Sequence, residues 1–393
     1  MNLKIIQRMM GSKLTKVGYE LESINIIQNP ISDIEHRSEC DAKIDFYGRK
    51  VYPVIVAPMG SVTDENNYKI WLEHGFICCV PRTVDYEKRI EISKETFASF
   101  SLFEADKLII NDDINDGKRH FICVDIAHGT MKILYTICKN LKKRFGDNII
   151  IMTGNVANPD AFVFYADAGI DFMRACVGTG SRCTTSCNVG VHYPTATLID
   201  ELRMNKESWD LTHEAKSTEI IVDGGIANFD DIQKSIALGA FGVMSGSVFA
   251  RAQEACEPVV FLHPENLDMA DAIPADEYVN KLQQLKELDE RCGGNGANYY
   301  KNAYERLSKR KPYRLYYGMS TKHAQRLTGG KGNVTAEGIA LPIPVEYPIA
   351  KWADNMESYM KSCMSYTGCR TIEEMRENTE LIINLSGDRS FRK

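Results

Sequence analysis

Between residues 51 and 249, short apolar runs alternate with amphipathic stretches, and no other feature of the chain restricts its fold so strongly. The runs are Val51-Tyr-Pro-Val-Ile-Val-Ala-Pro-Met, Phe76-Ile-Cys-Cys-Val, a weaker one over 97–102, and His120-Phe-Ile-Cys-Val-Asp. Asn148-Ile-Ile-Ile-Met-Thr-Gly-Asn-Val156, Asp171-Phe-Met-Arg-Ala-Cys, Glu219-Ile-Ile-Val-Asp and Ala240-Phe-Gly-Val-Met-Ser follow. Such runs are apolar on both faces, as a strand covered by helices on either side must be. The intervening spacing predicts helices over 66–74, 85–94, 104–110, 131–144, 160–168 and 229–238. About eight strand-helix units predict an α/β fold, a (β/α)8 TIM barrel forming a single catalytic domain over 1–393. A doubly wound sheet is the competing architecture, but no Gly-x-Gly-x-x-Gly follows the first strand.

Beyond Phe249 the alternation stops. Residues 257–311 are polar and helix-prone and read as a helical insertion after the last barrel strand, too short for a core of its own. Thr328-Gly-Gly-Lys-Gly-Asn lies within a segment, 321–340, that reads as a mobile flap over the active site, and a last amphipathic helix is predicted over 351–363. The 393 residues are 44% apolar with a formal net charge of -6, which argues against nucleic acid as a partner. No apolar run approaches bilayer length, and the first residues lack the apolar core of a secretion signal. Twelve cysteines scattered over a chain of this kind fit reduced thiols and a cytoplasmic setting better than a disulfide framework. With no Cys-x-x-Cys pair and no metal-ligand spacing among the eight histidines, a zinc site is not expected.

Chemistry concentrates in Val177-Gly-Thr-Gly-Ser-Arg-Cys183-Thr-Thr185, a strand end running into a glycine-bearing loop with a thiol at its tip. Gly178 and Gly180 let a ligand approach the main chain, Ser181 can donate to a phosphate, and Cys183 is placed to act as a nucleophile. The competing reading is one more buried thiol. Asp223-Gly224-Gly225 and Ser245-Gly246-Ser247 follow the last two barrel strands, where barrels often bind phosphate through backbone N–H groups. Repelled by a phosphate, Asp223 would turn to a ribose diol. Asp125 and Asn155 end two other strands; each faces the mouth or caps the next helix. His128 reads as structural rather than catalytic.

Gly178-x-Gly-Ser-x-Cys-Thr-Thr resembles the active-site loop of the IMP dehydrogenase and GMP reductase family. Ala57-Pro-Met, Gly154-Asn-Val, Asp223-Gly-Gly, Val243-Met-Ser-Gly-Ser and Tyr317-Gly-Met-Ser resemble its other motifs, in the same order. Ile31-Ser-Asp-Ile-Glu-His-Arg-Ser-Glu and Gly368-Cys-Arg-Thr-Ile-Glu-Glu-Met-Arg resemble its terminal segments. The resemblance implies a purine 5′-monophosphate attacked at C2 by Cys183, a covalent thioimidate, and hydride exchange with a nicotinamide cofactor. It implies that Ser181, Gly224, Gly225, Gly246, Ser247, Tyr316 or Tyr317, Gly318, Met319 and Ser320 hold the nucleotide, with Asp223 on the ribose. Asp125, Ala127, His128 and Asn155 are implied on the cofactor side, and the carbonyls of Gly178, Gly180 and Cys183 around a potassium-like monovalent cation. Relatives assemble as homotetramers.

Several residues point to the reductase branch, with NADPH as cofactor. Asp125-Ile-Ala-His-Gly, Cys183-Thr-Thr and Val189-Gly-Val-His-Tyr-Pro194 resemble it, and Thr185 with Glu337 would handle protons for the departing ammonia. No Arg-Tyr pair, as dehydrogenases carry on their flap, lies between Met319 and Glu337, and no regulatory domain fits between Arg89 and His120. IMP dehydrogenase lacking that domain and a non-catalytic nucleotide-binding barrel are the alternatives. Departures from the family pattern are Cys176 and Thr179 in the thiol loop, Gly60-Ser61 after the first strand, Arg82 between Pro81 and Thr83 where a lysine is usual, and Val334 where an arginine is expected. They bear on which base is bound.

Overall fold

The computed structural model describes residues 16–180, 183–214, 217–291, 297–327 and 338–384. Ser181, Glu337 and much of the 321–340 flap lie outside them. The chain starts with β1 (Ile24–Ile26) and a hairpin, β2 (Ile44–Phe46) and β3 (Arg49–Val51). Then strand and helix alternate: β4 (Val54–Val56), α1 (Tyr68–Glu73), β5 (Ile77–Val80), α2 (Tyr86–Ile92), β6 (Phe97–Phe100) and α3 (Leu102–Asn111). The pattern continues through β7 (His120–Asp125), α4 (Lys132–Phe145), β8 (Ile149–Val156), α5 (Phe162–Asp167) and β9 (Phe172–Ala175). After α6 (Thr185–Val189) and α7 (Thr195–Asp210) come β10 (Glu219–Asp223), α8 (Phe229–Ala237), β11 (Gly242–Ser245) and α9 (Ser247–Arg251). Strands β4 to β11 close into one barrel, β11 returning to pair with β4 in parallel register.

Each predicted strand forms where its apolar run lies, because the barrel wall is buried on both sides; Val54, Cys79, Ile122 and Ile221 are all essentially inaccessible. The helices present apolar stripes to that wall. In α4, Leu134, Ile137, Cys138, Leu141 and Phe145 are buried at three- and four-residue spacing. Helix α3 begins two residues earlier than periodicity suggests, because Ser101 and Glu104 form a reciprocal cap.

After the barrel the chain forms β12 (Val260–Leu262), β13 (Ile273–Pro274), α10 (Ala275–Arg291), α11 (Ala297–Ser308), β14 (Lys311–Tyr316), α12 (Lys322–Leu327) and β15 (Leu341–Pro344). The segment that reads as helix-prone thus also supplies two strands of an antiparallel sheet ordered β13-β12-β14-β15. Periodicity misses them because β12 pairs with β14 some fifty residues on, Val260 opposite Tyr313. Helix α13 (Ile349–Thr367), longer at both ends than predicted, and α14 (Ile372–Asn378) follow, and β16 (Leu381–Ile383) returns to pair with β1. No described helix is long and apolar enough to cross a membrane.

Candidate active site

The C-terminal ends of β7 to β10 carry a hydrogen-bonded charge network. Its centre is Arg174 of β9, a residue the motif reading passed over. Its Nη1 donates to Asp125 Oδ1 at 2.7 Å, and its Nη2 and Nε donate to Asp223 Oδ2 at 2.7 and 3.0 Å. Asn155 Nδ2 donates to the same Asp223 oxygen at 2.7 Å. Burial alone would drive Arg174 toward losing its proton; the two carboxylates reverse this and hold it firmly charged. A signal for it was available in sequence: a charge inside a two-sided apolar strand must find partners, and only strand-end carboxylates lie near. Both donors meet Asp223 at Oδ2, so Oδ1 accepts no hydrogen bond among the described residues.

Arg82, at the end of β5, approaches the other side of Asp125, Nε to Oδ2 at 3.7 Å. That Nε is shielded from solvent and has no hydrogen-bond partner among the described residues. Asn155 therefore spends its side chain on the network rather than on a helix cap. Ala127 and His128 stand exposed on the loop after β7, where His128 Nδ1 pairs with Thr130.

The thiol loop rises from β9. Cys183 is half-buried, its S–H donates to Thr185 Oγ1 at 3.2 Å, and its N–H donates to the Gly180 carbonyl at 2.9 Å. Gly338, the residue following Glu337, pairs with Cys183 as an isolated antiparallel bridge. Ser186 Oγ donates to the Gly178 carbonyl at 2.9 Å, and Thr179 Oγ1 to the Asp223 carbonyl at 3.3 Å. The loop leans on Asp223-Gly224-Gly225. Gly224 has φ +97°, and a Cβ there would lie 2.6 Å from Thr179 Oγ1, so glycine is required by conformation and by space. A cavity of about 480 Å³, lined by Glu20, Gly178, Thr179, Ser186, His192 and Gly225 among others, adjoins the loop.

On the β11 side, Ser245 and Ser247 hydroxyls donate to the Ile226 carbonyl at 3.1 and 3.5 Å. Gly246 is overlain by Tyr316: a Cβ there would sit 2.3 Å from Met59 Sδ and 2.5 Å from Tyr316 Oη. Sequence leaves Tyr316 and Tyr317 equivalent; the structure separates them. Tyr317 Oη donates to Glu257 Oε2 at 3.2 Å, and its ring meets His323 at 4.5 Å. Burial pushes the Glu257 carboxyl upward, with Tyr317 and Arg314 offsetting part of the rise. Glu257 was not singled out from sequence, where nothing marks an acid in a polar stretch. Gly318, Met319 and Ser320 form the turn that follows β14.

Fold and site together define a barrel enzyme with an accessible thiol at the C-terminal mouth, beside a paired-carboxylate network and glycine loops suited to an anion. The model of the IMP dehydrogenase / GMP reductase domain matches residues 104–270. GMP reductase of Bacillus licheniformis is 31% identical over 236 residues, 56% of this chain and 68% of that protein. GMP reductase of Oenococcus oeni is 27% identical over 394 residues, covering 94% of this chain and 99% of its own length. Inosine-5′-monophosphate dehydrogenase of Chlorobaculum tepidum is 28% identical over 263 residues, 66% of this chain but only 44% of that protein. The chain belongs to the IMP dehydrogenase / GMP reductase family of oxidoreductases.

Proposed function

We propose that this protein is a GMP reductase, converting GMP to IMP and ammonia with NADPH as the reductant. The observation that carries the reading is the thiol of Cys183 at the barrel mouth, donating to Thr185 at 3.2 Å with its main chain bridged to Gly338. Cys183 sulfur adds to C2 of the purine; the C2–N bond then breaks and ammonia leaves, giving a thioimidate. Thr185, with Glu337, relays the protons that turn the amino group into a leaving group. The nicotinamide, when bound, supplies the hydride that takes the amino group's place at C2, after which the C2–S bond breaks and IMP departs.

The residues at the mouth fit these roles. Asp223, fixed by Arg174 and Asn155 through Oδ2, keeps Oδ1 for a ribose hydroxyl. Tyr316, not Tyr317, covers Gly246, which favours Tyr316 as the tyrosine that joins Gly225, Gly246, Ser247 and the thiol-loop Ser181 in holding the phosphate. The Nε of Arg82, 3.7 Å from Asp125 and without a hydrogen bond among the described residues, suits a carboxamide or phosphate oxygen of the nicotinamide cofactor. The carbonyls of Gly178, Gly180 and Cys183 form an all-oxygen set of the kind that a potassium-like ion takes. The insertion at 257–311 and the flap at 321–340 belong to the same single-domain unit, which assembles as a homotetramer.

Incubating the protein with GMP and weighing the Cys183 peptide should reveal an attached nucleotide, and GMP should support NADPH oxidation with ammonia release. The similarity to inosine-5′-monophosphate dehydrogenase keeps a second reaction in view, oxidation of IMP to XMP with NAD and water. Oxidation of IMP with NAD, together with inert GMP, would replace the reductase reading. Nucleotide binding without an adduct, and without turnover of either GMP or IMP, would leave a binding barrel.

A further inference from the structure

The thiol loop is tied to a strap from the N-terminal part of the chain. The Lys16 ammonium donates to Tyr193 Oη at 2.6 Å and also pairs with Glu201 of α7. Tyr19 exchanges hydrogen bonds with Thr197, its N–H donating to Oγ1 at 2.7 Å. Glu20 then reaches the segment between the thiol loop and α7. Its Oε2 accepts from the Thr195 N–H at 2.9 Å, and its Oε1 lies 2.6 Å from His192 Nε2. The other nitrogen of that ring, Nδ1, lies 3.1 Å from the carbonyl of Val177, the residue before Gly178 at the root of the loop.

A carboxylate and a carbonyl are both acceptors, so only an imidazolium, with a proton on each nitrogen, satisfies both contacts. Burial by itself would lower the pKa of His192, but the hydrogen bonds that the ring donates to Glu20 and Val177 outweigh it and hold the ring above the ordinary histidine value. The other titratable groups lining the cavity beside it are Glu22 of the strap, Cys187 of α6 and Asp231 of α8. Asp231 is engaged by the N–H groups of Ala227 and Asn228, and the nearby Lys16 and Glu201 neutralise each other.

We propose that Glu20 and His192 form a latch that positions the thiol loop, the imidazolium spanning from the strap carboxylate to the Val177 carbonyl. His192 touches neither substrate nor cofactor in this arrangement; it acts through the backbone that sets where Cys183 stands, and so is a positioning residue. The inference rests on reading Cys183 as the nucleophile. When His192 loses its proton, one of the two contacts is forfeited and the loop root is freed.

The test compares the wild-type protein with Glu20→Gln and His192→Gln. Under saturating GMP and NADPH, kcat of the wild type should fall on an alkaline limb as His192 deprotonates. Glu20→Gln should move that limb down by about one pH unit, because the charge favouring the imidazolium is gone. His192→Gln should remove the limb and lower kcat roughly tenfold while KM for GMP changes less than about threefold, the mark of a displaced nucleophile rather than a lost binding contact. Independently of turnover, the rate of Cys183 alkylation by iodoacetamide, separated from Cys187 by fragment-ion mapping, should change in both variants. An alkaline limb unmoved in Glu20→Gln, or Cys183 alkylation unchanged in both variants, overturns the latch. A wild-type protein inactive on GMP sinks the reductase reading instead, and the alkylation arm still decides the latch.

Discussion

At the N-terminal end of the barrel, Phe46 of the β2–β3 hairpin stacks on Phe121 with ring centroids 5.4 Å apart and also meets Phe97, Phe172 and Phe241. At the other end of the same strands, Arg174 sits between Asp125 and Asp223. The floor is closed with side chains that need only volume, which the hydrophobic effect fills without directional demands. The mouth is built from charges whose burial is tolerable only while each keeps its partner. Stability should therefore be sensitive at both ends, but turnover only at one.

The sharpest way to break that contrast is Cys183→Ala. Turnover should fall by ~10³-fold or more while calorimetry still detects GMP binding and the melting temperature stays put. Normal turnover in this variant would remove the thiol from the mechanism. Arg174→Met is the next largest, because it removes the cation that holds the mouth together and fixes Asp223. Leaving Asp125 and Asp223 buried without their cation should cost about 3–5 kcal/mol in denaturant unfolding and lower kcat/KM as well. If stability held and only activity fell, the network would be a site device and not a structural one.

Phe46→Ala should cost about 3–5 kcal/mol through the cavity it opens, with turnover per folded molecule unchanged. Loss of specific activity in the folded fraction would show that the floor and mouth are coupled. The smallest effect concerns His120 at the floor, fully buried with Ser93 Oγ at 2.7 Å and Asp116 Oδ1 at 3.0 Å. Burial, outweighing Asp116, holds its pKa below the ordinary value of 6.5. The unfolded chain then takes up a proton before the folded one does, so stability is lost as pH falls below about 6.5. The melting temperature should drop between pH 7.5 and 5.5, and the drop should shrink in His120→Gln; an equal drop in both would assign the effect elsewhere.

What was legible in the sequence follows from how locally each signal is written. The strands β4 to β11 were readable because an apolar run bounded by glycine or a polar residue reports its own burial. The thiol loop was readable because Gly178, Gly180, Cys183 and Thr185 lie within eight residues of one another. The antiparallel sheet beyond the barrel was not, since β12 pairs with β14 across some fifty intervening residues.

The sequence alone determined the barrel, the order of its loops and the identity of the nucleophile candidate. Only the tertiary structure decided that Arg174 unites Asp125 with Asp223, that Tyr316 rather than Tyr317 covers Gly246, and that Glu20 reaches His192 across 172 positions of chain. The reason is physical: periodicity and turn chemistry act between near neighbours. A hydrogen bond or ion pair depends instead on which strand ends the closed barrel brings within about 3 Å of each other.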